Sequence, residues 1–329
     1  MVLLCLSSIF QPIHPPILNP NFMSLLVVGS VAYDGTETPF GKRDRVPGGS
    51  ATFLSLSASF FTNPVHLIGI VGKDYADKDI QRFEKRGIDL EGLQRDDSGD
   101  TFYYASKYSY DLNHRETLQT DLNVFEHFDP ILTDVAKKAN VVALGNIEPR
   151  LQLRVLDQVE KPKFVAMDTM NFWIEGWNEQ LKETIARVDM LVVNDSEARE
   201  LTGEHSLLKA ADAIFAMGPK HVVIKKGEHG ALLFTDGELF SAPAYPILDI
   251  YDPTGAGDAF LGGFLGWLSY TDNFSKDNMR RAVIFGSVMA SFAVEEFGPE
   301  RLDNLTNDEV QERYYEFQAL SEIPDPHHS

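Results

Sequence analysis

The chain has 329 residues, 43% of them apolar, which is enough to bury one large α/β core or two smaller ones. A formal net charge of −20 argues against nucleic acid or an anionic membrane as partner, since both require a basic surface. Cys5 is the only cysteine, which excludes an intramolecular disulfide and a Cys-based zinc cluster and fits a reducing cytoplasm.

Residues 1–22 differ in character from the remainder of the chain. The apolar run at 2–10 lacks a basic flank and a small-residue cleavage site, and Pro12, Pro15, Pro16 and Pro20 come after it. The expectation is a disordered tail, or a start assigned too far upstream, ahead of a domain covering 23–329 that begins at Met23. No later run of about 20 apolar residues could cross a membrane.

Leu25–Val28 is a continuous apolar run ended by Gly29 and Ser30, the pattern of a buried parallel strand that delivers its end to a ligand cleft. Asp34 lies just beyond it, where one carboxylate can accept from two neighbouring hydroxyls, although a lone loop Asp is more often simply solvated. Gly48, Gly49, Ser50 and Ala51 precede Phe53, Leu54, Leu56 and Phe60, an apolar set that fits a buried helix. The segment from Gly35 to Lys42 is not a phosphate-binding P-loop, because the spacing of its glycines is wrong and Arg43 stands where Ser or Thr is needed. Segments 36–46, 101–110 and 116–124 are rich in Thr and Tyr and read as strands outside the main sheet.

From Val65 onward apolar strands at 65–70, 141–144, 164–167, 190–193 and 222–224 alternate with helical patterns at 76–86, 150–159, 179–187 and 207–217. Such alternation implies right-handed βαβ crossovers and a mainly parallel sheet covered on both faces. Polar residues stand at the strand ends. Asp168 and Asn171 follow one strand and divide evenly between a functional and a solvated reading. Asn194 ends another, with Glu197 on the same helical face; the pair suits either a helix cap or the ordering of Mg²⁺-bound water. Lys225 and Gly227 end a third, where exposed lysines are usually only solvated.

Residues 239–250 read as a strand running into Asp252-Pro253-Thr254-Gly255-Ala256-Gly257-Asp258-Ala259-Phe260, after which Phe260, Leu261, Phe264, Leu265 and Leu268 recur at helical spacing. A Gly-rich turn that opens a helix presents unpaired N–H groups to an anion, so Gly255, Ala256 and Gly257 read as an anion hole. Asp258 beside it is either an acidic helix cap or a base that takes a proton from an attacking hydroxyl. A further helix spans 279–296 and stops at Phe297-Gly298.

The stretch from Asp252 to Phe260 closely resembles the C-terminal signature of the ribokinase-like, or PfkB, carbohydrate kinases, and Gly48-Gly49 is similar to their N-terminal one. The resemblance runs from about Leu25 to Gly298 and implies an α/β fold with a mainly parallel central sheet flanked by helices on both faces. It also implies a small β-sheet lid, from segments 34–47 and 99–124. The implied reaction moves the γ-phosphoryl group of Mg–ATP to a hydroxyl of a sugar or related polyol, with a nucleoside kinase as the alternative within the fold and a silent ligand sensor outside catalysis. Asp258 would be the base, Gly255, Ala256 and Gly257 the anion hole, and Asp34, Gly48, Gly49, Ser50, Asp168 and Asn171 the acceptor site. Asn194, Glu197, Lys225, Gly227, Ala290 and Ser291 would bind ATP, with Glu197 holding Mg²⁺ through water. Asp252, Thr254 and Gly298 match a loop that binds a monovalent cation such as K⁺ in many relatives. Ser50, Thr52 and Phe53 stand where many members have Lys or Ala after the glycines and then an Asn that bonds the sugar, and Phe53 would suit a less polar ring face of the acceptor, such as that of a cyclic polyol or a nucleoside. A homodimer formed lid to lid would cover the exposed face of the lid. No Gly-x-Gly-x-x-Gly follows an early strand, which removes a nicotinamide oxidoreductase from consideration.

Overall fold

The computed structural model describes residues 23–112 and 114–322; the expected tail at 1–22 lies outside them. Thirteen strands occur among these residues: β1 (Leu25–Val28), β2 (Ala32–Thr38), β3 (Gly41–Gly48), β4 (Val65–Gly72), β5 (Leu93–Asp96), β6 (Tyr103–Tyr108), β7 (Arg115–Asp121), β8 (Val141–Leu144), β9 (Phe164–Asp168), β10 (Met190–Asn194), β11 (His221–Lys225), β12 (Ala231–Thr235) and β13 (Glu238–Ala242). The helices are α1 (Ser50–Ala58), α2 (Asp77–Lys85), α3 (Pro149–Leu156), α4 (Asn171–Gly176), α5 (Asn178–Ile185), α6 (Asp195–Thr202), α7 (Leu207–Phe215), α8 (Ala256–Thr271), α9 (Lys276–Ala293), α10 (Glu300–Asn304) and α11 (Asn307–Ser321).

Nine strands form the main sheet in the order β13-β12-β11-β10-β9-β8-β1-β4-β5, parallel except for the β11-β12-β13 meander at one edge. Alternate residues of each central strand enter opposite cores. Leu25, Val27, Val141, Ala143 and Val192 face one, with α1, α8 and α9, while Leu26, Val28, Val142, Leu144 and Val193 face the other. A parallel strand covered on both faces must be apolar at every position, which is why these runs show no alternation in sequence. Each fully buried aliphatic side chain contributes about 1.5–3 kcal/mol to folding.

β1 has β4 on one side and β8 on the other, so the chain reverses its winding direction there. Ligands of open α/β sheets bind beyond the carboxyl ends of the strands at such a switch point. The second sheet, ordered β3-β2-β6-β7, stands above that end. Only residues 29–31 separate β1 from β2, which seats the small sheet at the mouth of the crevice.

Helix α8 is set against its neighbours with almost no side chain between. A Cβ at Gly262 would fall 2.3 Å from the carbonyl oxygen of Leu54 on α1, and one at Gly266 would fall 2.9 Å from that of Ala58. On the other flank, Gly263 faces the Phe285 carbonyl of α9 and Gly286 the Phe260 carbonyl, each at 2.8 Å from the missing Cβ. Ser57 Oγ also donates to the Ala259 carbonyl at 2.6 Å. These contacts fix the N-terminal half of α8 against α1 and α9.

One expected element is shorter than the sequence pattern implied. The strand read at 239–250 ends at Ala242, because Pro243 and Pro246 cannot donate to a ladder, and the chain runs on without regular structure to α8.

Candidate active site

Adjacent strands β9, β10 and β11 end together and deliver Asp168, Asn194 and Lys225 to one edge, Asn194 being the ladder partner of Lys225. The Lys225 ammonium donates to Asp168 Oδ2 at 2.8 Å, and the other Asp168 oxygen accepts the N–H of Thr169 at 2.8 Å. Buried Gln152 on α3 donates to the carbonyls of Gly145 (2.9 Å) and Asp168 (3.2 Å), which ties the ends of β8 and β9 together.

Asn194 and Glu197 form a reciprocal cap on α6. Asn194 Oδ1 accepts the Glu197 N–H and Glu197 Oε2 accepts the Asn194 N–H, both at 2.8 Å. The cap holds the buried Glu197 at the cleft, and no hydrogen bond among the described residues involves its Oε1.

Gly255 precedes α8 with φ of 79°, a left-handed conformation that glycine adopts without strain. The ring of Phe53 lies directly beneath it, 2.3 Å from where a Cβ would be. Phe53 is 1% exposed, so it supports the turn and does not face an acceptor ring, which corrects the reading of this position from sequence. A Cβ on Gly257 would fall 2.8 Å from the Lys225 nitrogen. Lysine and the start of the helix therefore face one space, with half-buried Asp258 in the first helical turn.

The loop leading to the turn is held from three sides. Buried Asp252 accepts the N–H groups of Thr254 (2.9 Å) and Gly298 (3.1 Å), bringing those three residues together. Thr254 Oγ1 in turn meets Tyr108 Oη at 3.2 Å and Thr36 Oγ1 at 3.5 Å, both from the small sheet. Asp34 on β2 is buried against the Gly48-Gly49 turn: the Gly49 N–H donates to its Oδ2 at 3.4 Å, and a Cβ on Gly48 would fall 1.9 Å from that oxygen.

Several residues singled out from sequence take other partners. Ser50 and Ser30 exchange bonds, Ser50 Oγ accepting the Ser30 N–H at 3.1 Å and Ser30 Oγ accepting the Ser50 N–H at 3.0 Å. Asn171 is exposed at the start of α4. Ser291 donates to the Val288 carbonyl and accepts from Arg313 on α11 at 3.0 Å. Ala290 is half-buried against the α9 core, and Gly227 opens an exposed turn after β11. Arg115, absent from the sequence-based set, enters the site from β7; an arginine opening a Thr-rich strand gives no sign of this by itself.

The electrostatics are those of a crowded acidic cleft. Burial pushes the Asp34 carboxyl up to about 7, with Asp252 adding to it. Burial and the neighbouring Asp168 push Asp258 up to about 7, against the lowering effect of Lys225 and Arg115. Glu197 is raised to about 7 by the same two causes. Burial works against the charge of Lys225, but Asp168 and Glu197 outweigh it and hold its affinity for the proton above the ordinary lysine value. The arrangement offers a carboxyl that exchanges a proton near neutrality beside a helix start and an ammonium that attract an anion.

The chain matches the pfkB family carbohydrate kinase model over residues 25–305 and belongs to that family. It is accordingly a kinase, a phosphotransferase with an alcohol acceptor. A cytidine kinase of Thermococcus kodakarensis is 32% identical over 253 residues, covering 75% of this chain and 89% of that one. A nucleoside kinase of Methanothermobacter thermautotrophicus is 26% identical over 294 residues, covering 84% and 91%. The solved structure of Burkholderia thailandensis nucleoside kinase in complex with inosine has the same fold, with a TM-score of 0.72 at 20% identity over 89% of this chain and 97% of that one. Among the described residues no helix is long and apolar enough to cross a membrane.

Proposed function

We propose that this kinase transfers the γ-phosphoryl group of Mg–ATP to a ribose hydroxyl of a nucleoside. The sequence alone favours a sugar or polyol; the observation that moves the acceptor toward nucleosides is the likeness to cytidine and nucleoside kinases across most of each chain. The small sheet supports the same reading. Asp34 and half-buried Tyr104 are ladder partners and share a face, placing a hydroxyl acceptor beside an aromatic ring on which a base can stack.

In this reading Asp34 accepts from two ribose hydroxyls, with Gly48 and Gly49 allowing close approach. Asp258 takes the proton of the attacking hydroxyl, and the start of α8 at Gly255, Ala256 and Gly257 stabilises the phosphoryl charge. Lys225 meets the phosphates as a point charge and must loosen its bond to Asp168 to do so. Kinases of this family use ATP with Mg²⁺. No group of three or more His, Cys, Asp and Glu side chains suited to a metal ion occurs among the described residues, so an all-protein cage is not the means. The free Oε1 of buried Glu197 fits the usual Mg²⁺ arrangement, one carboxylate acting through water while the phosphates supply the remaining oxygens. Asp168 completes the acidic wall; Asn194 holds Glu197 in place.

A monovalent cation such as K⁺ beside Asp252, Thr254 and Gly298, a homodimer through the outer face of the lid, and a cytoplasmic location complete the proposal. Activation by KCl over NaCl, and the mass in solution, test the first two. The acceptor is tested by ADP release with cytidine, uridine, adenosine and inosine against ribose, fructose and inositol. A nucleoside should give the highest kcat/KM. A sugar or polyol exceeding every nucleoside tenfold would return the enzyme to the carbohydrate kinases proper.

A further inference from the structure

Asp34 belongs to the small sheet, although the crevice it serves lies at the end of the main one. Its place is set by the residue before it. Side chains alternate along a strand, so Tyr33 leaves β2 on the face opposite Asp34. Tyr33 is buried there, and α2 engages its hydroxyl twice. The hydroxyl accepts the N–H of Ala76, the residue that caps α2, at 3.0 Å, and donates to Oδ2 of Asp79, in the first turn of that helix, at 2.8 Å. The ring is held as well, with the Arg45 guanidinium 4.0 Å from its centre and the Tyr75 ring at 5.1 Å.

The groups that hold Tyr33 are themselves fixed. Asp79 is buried and faces Arg82 at 3.5 Å, and Arg82 Nε donates to both carboxylate oxygens of Asp303 on α10, at 2.6 and 2.8 Å. Arg86, just past α2, donates to the carbonyls of Leu302 and Leu305 at 2.6 and 2.9 Å. Arg45 pairs with Asp74, which also accepts the N–H and the hydroxyl of Thr101, each at 2.7 Å. Since α2 connects β4 to β5, the phenol is tied to the framework of the main sheet and not to the sheet that carries it. Filling space does not account for this. Phe would occupy the same volume, and a buried carboxylate such as Asp79 costs free energy unless a donor meets it.

We infer that Tyr33 is the positioning residue of the acceptor site: its two hydrogen bonds to α2 set where the Asp34 carboxylate stands, and so how the acceptor presents its hydroxyl to Asp258. The inference rests on the kinase reaction and the role of Asp34 proposed above. Consecutive Cα atoms lie about 3.8 Å apart across a planar peptide, so a shift at Tyr33 passes directly to Asp34. Asp34 has little slack to absorb it. A Cβ on Gly48 would fall 1.9 Å from Asp34 Oδ2, and the Gly49 N–H reaches that oxygen at 3.4 Å, already a long hydrogen bond. Misplacement of a reacting group by about 1 Å is enough to cost on the order of a hundredfold in rate. The phosphate end is built on β10, β11 and the start of α8, so the effect of Tyr33 falls on the acceptor.

The test measures kcat and the KM of each substrate for wild type, Tyr33→Phe, Asp34→Asn and the double variant, each shown to be folded by circular dichroism. The substrates are Mg–ATP and cytidine, or whichever alcohol in the acceptor screen supports turnover. Tyr33→Phe should lower kcat/KM for the acceptor about ten- to a hundredfold and leave the KM for ATP within about twofold of wild type. In the Asp34→Asn background the same change should cost less than about threefold, because a residue that acts through Asp34 has nothing left to place. Asp79→Asn keeps an oxygen to accept from the phenol and should stay close to wild type, whereas Asp79→Ala should resemble Tyr33→Phe and carries the same comparison if Tyr33→Phe does not fold. Equal losses in both backgrounds, or a KM for ATP that rises with that of the acceptor, would make Tyr33 a general support of the fold and overturn the inference. An unchanged acceptor kcat/KM in Tyr33→Phe overturns it too. If Asp34→Asn itself leaves the acceptor kcat/KM intact, the role of Asp34 falls and that of Tyr33 with it. A wild type that releases ADP with no alcohol refutes the reaction itself, before any variant is compared.

Discussion

Lys225 donates to Asp168 at 2.8 Å across the ends of two strands that are not neighbours in the sheet, β10 standing between them. The bond points the ammonium at the space above Gly257, so the lysine is oriented before any phosphate is present. It also sets the charge balance of the cleft, since Lys225 lowers the proton affinity of both Asp258 and Glu197.

Replacing Lys225 by Met should therefore have two effects. Loss of a charged hydrogen bond to phosphate, worth roughly 1.5–3 kcal/mol, should raise the Kd for ATP about ten- to a hundredfold. Without the ammonium, Asp258 ionises less readily, and the acidic limb of the kcat/KM profile should move to higher pH. A weaker ATP affinity with an unmoved limb would place Lys225 too far from Asp258 to govern it.

Asp258→Asn removes the proton acceptor but keeps its shape. Turnover should fall by about 10²–10⁴-fold while ATP affinity holds or improves, because a negative charge near the phosphates is lost. The variant should also be more stable at alkaline pH. With the carboxyl at about 7 in the folded protein against 3.8 ordinarily, the folded state keeps a proton that the unfolded chain has released. The stability this confers is complete below the ordinary value and is lost as pH rises through about 7. Asn never ionises, so a Tm gain of a few degrees is expected at about pH 8.5 and none below about pH 4. An equal Tm difference at both extremes would show that the carboxylate is not destabilised by its surroundings.

Asp34→Asn should weaken acceptor binding about ten- to a hundredfold and leave ATP binding alone, since Asp34 belongs to the small sheet whereas Asn194 and Lys225, the residues proposed for the phosphate end, close β10 and β11 of the main sheet. Calorimetric titration of each ligand separates the two constants. A parallel loss of ATP affinity would mean that the two sites share Asp34.

Gly255→Ala and Phe53→Ala should be strongly coupled. The first forces a Cβ into the Phe53 ring and a side chain into positive φ; the second empties a buried site at a cost of about 3–5 kcal/mol. In the double variant the collision is gone, so its destabilisation, read by urea unfolding, should fall short of the sum by about 1 kcal/mol or more. Simple additivity would separate the turn from the aromatic ring.

Backbone placement was legible in the sequence wherever chemistry demanded one residue type. Buried parallel strands had to be apolar throughout, and their ends had to carry the first polar residues, so Asp168, Asn194 and Lys225 were visible as strand termini. The turn at Gly255 was equally plain. Side-chain direction was not, because it depends on partners far away in the chain. Ser50 turns to Ser30, Ser291 to Arg313 and Phe53 to Gly255, and no local spacing encodes those choices. Arg115 was hidden for the same reason: its relevance comes from pairing with Tyr108, whose hydroxyl reaches a loop more than a hundred positions downstream. The strand read through 239–250 shows the opposite error, an apolar tally overriding two prolines that forbid the ladder.

The glycine seams of α8 carry a consequence for mutational surveys of this chain. Gly262, Gly263, Gly266 and Gly286 are not among the residues proposed for the site, yet each faces a neighbouring carbonyl at a distance that admits no methyl group. In a saturation library selected for activity, these four positions should be as depleted of substitutions as Asp258. Plotted on the surface of the helix pair, such intolerance would trace a line leading away from the cleft and would be mistaken for a second ligand site. Measuring folded protein alongside activity distinguishes them: variants at the seam disappear from both readouts, whereas variants at Asp258 remain abundant and inactive.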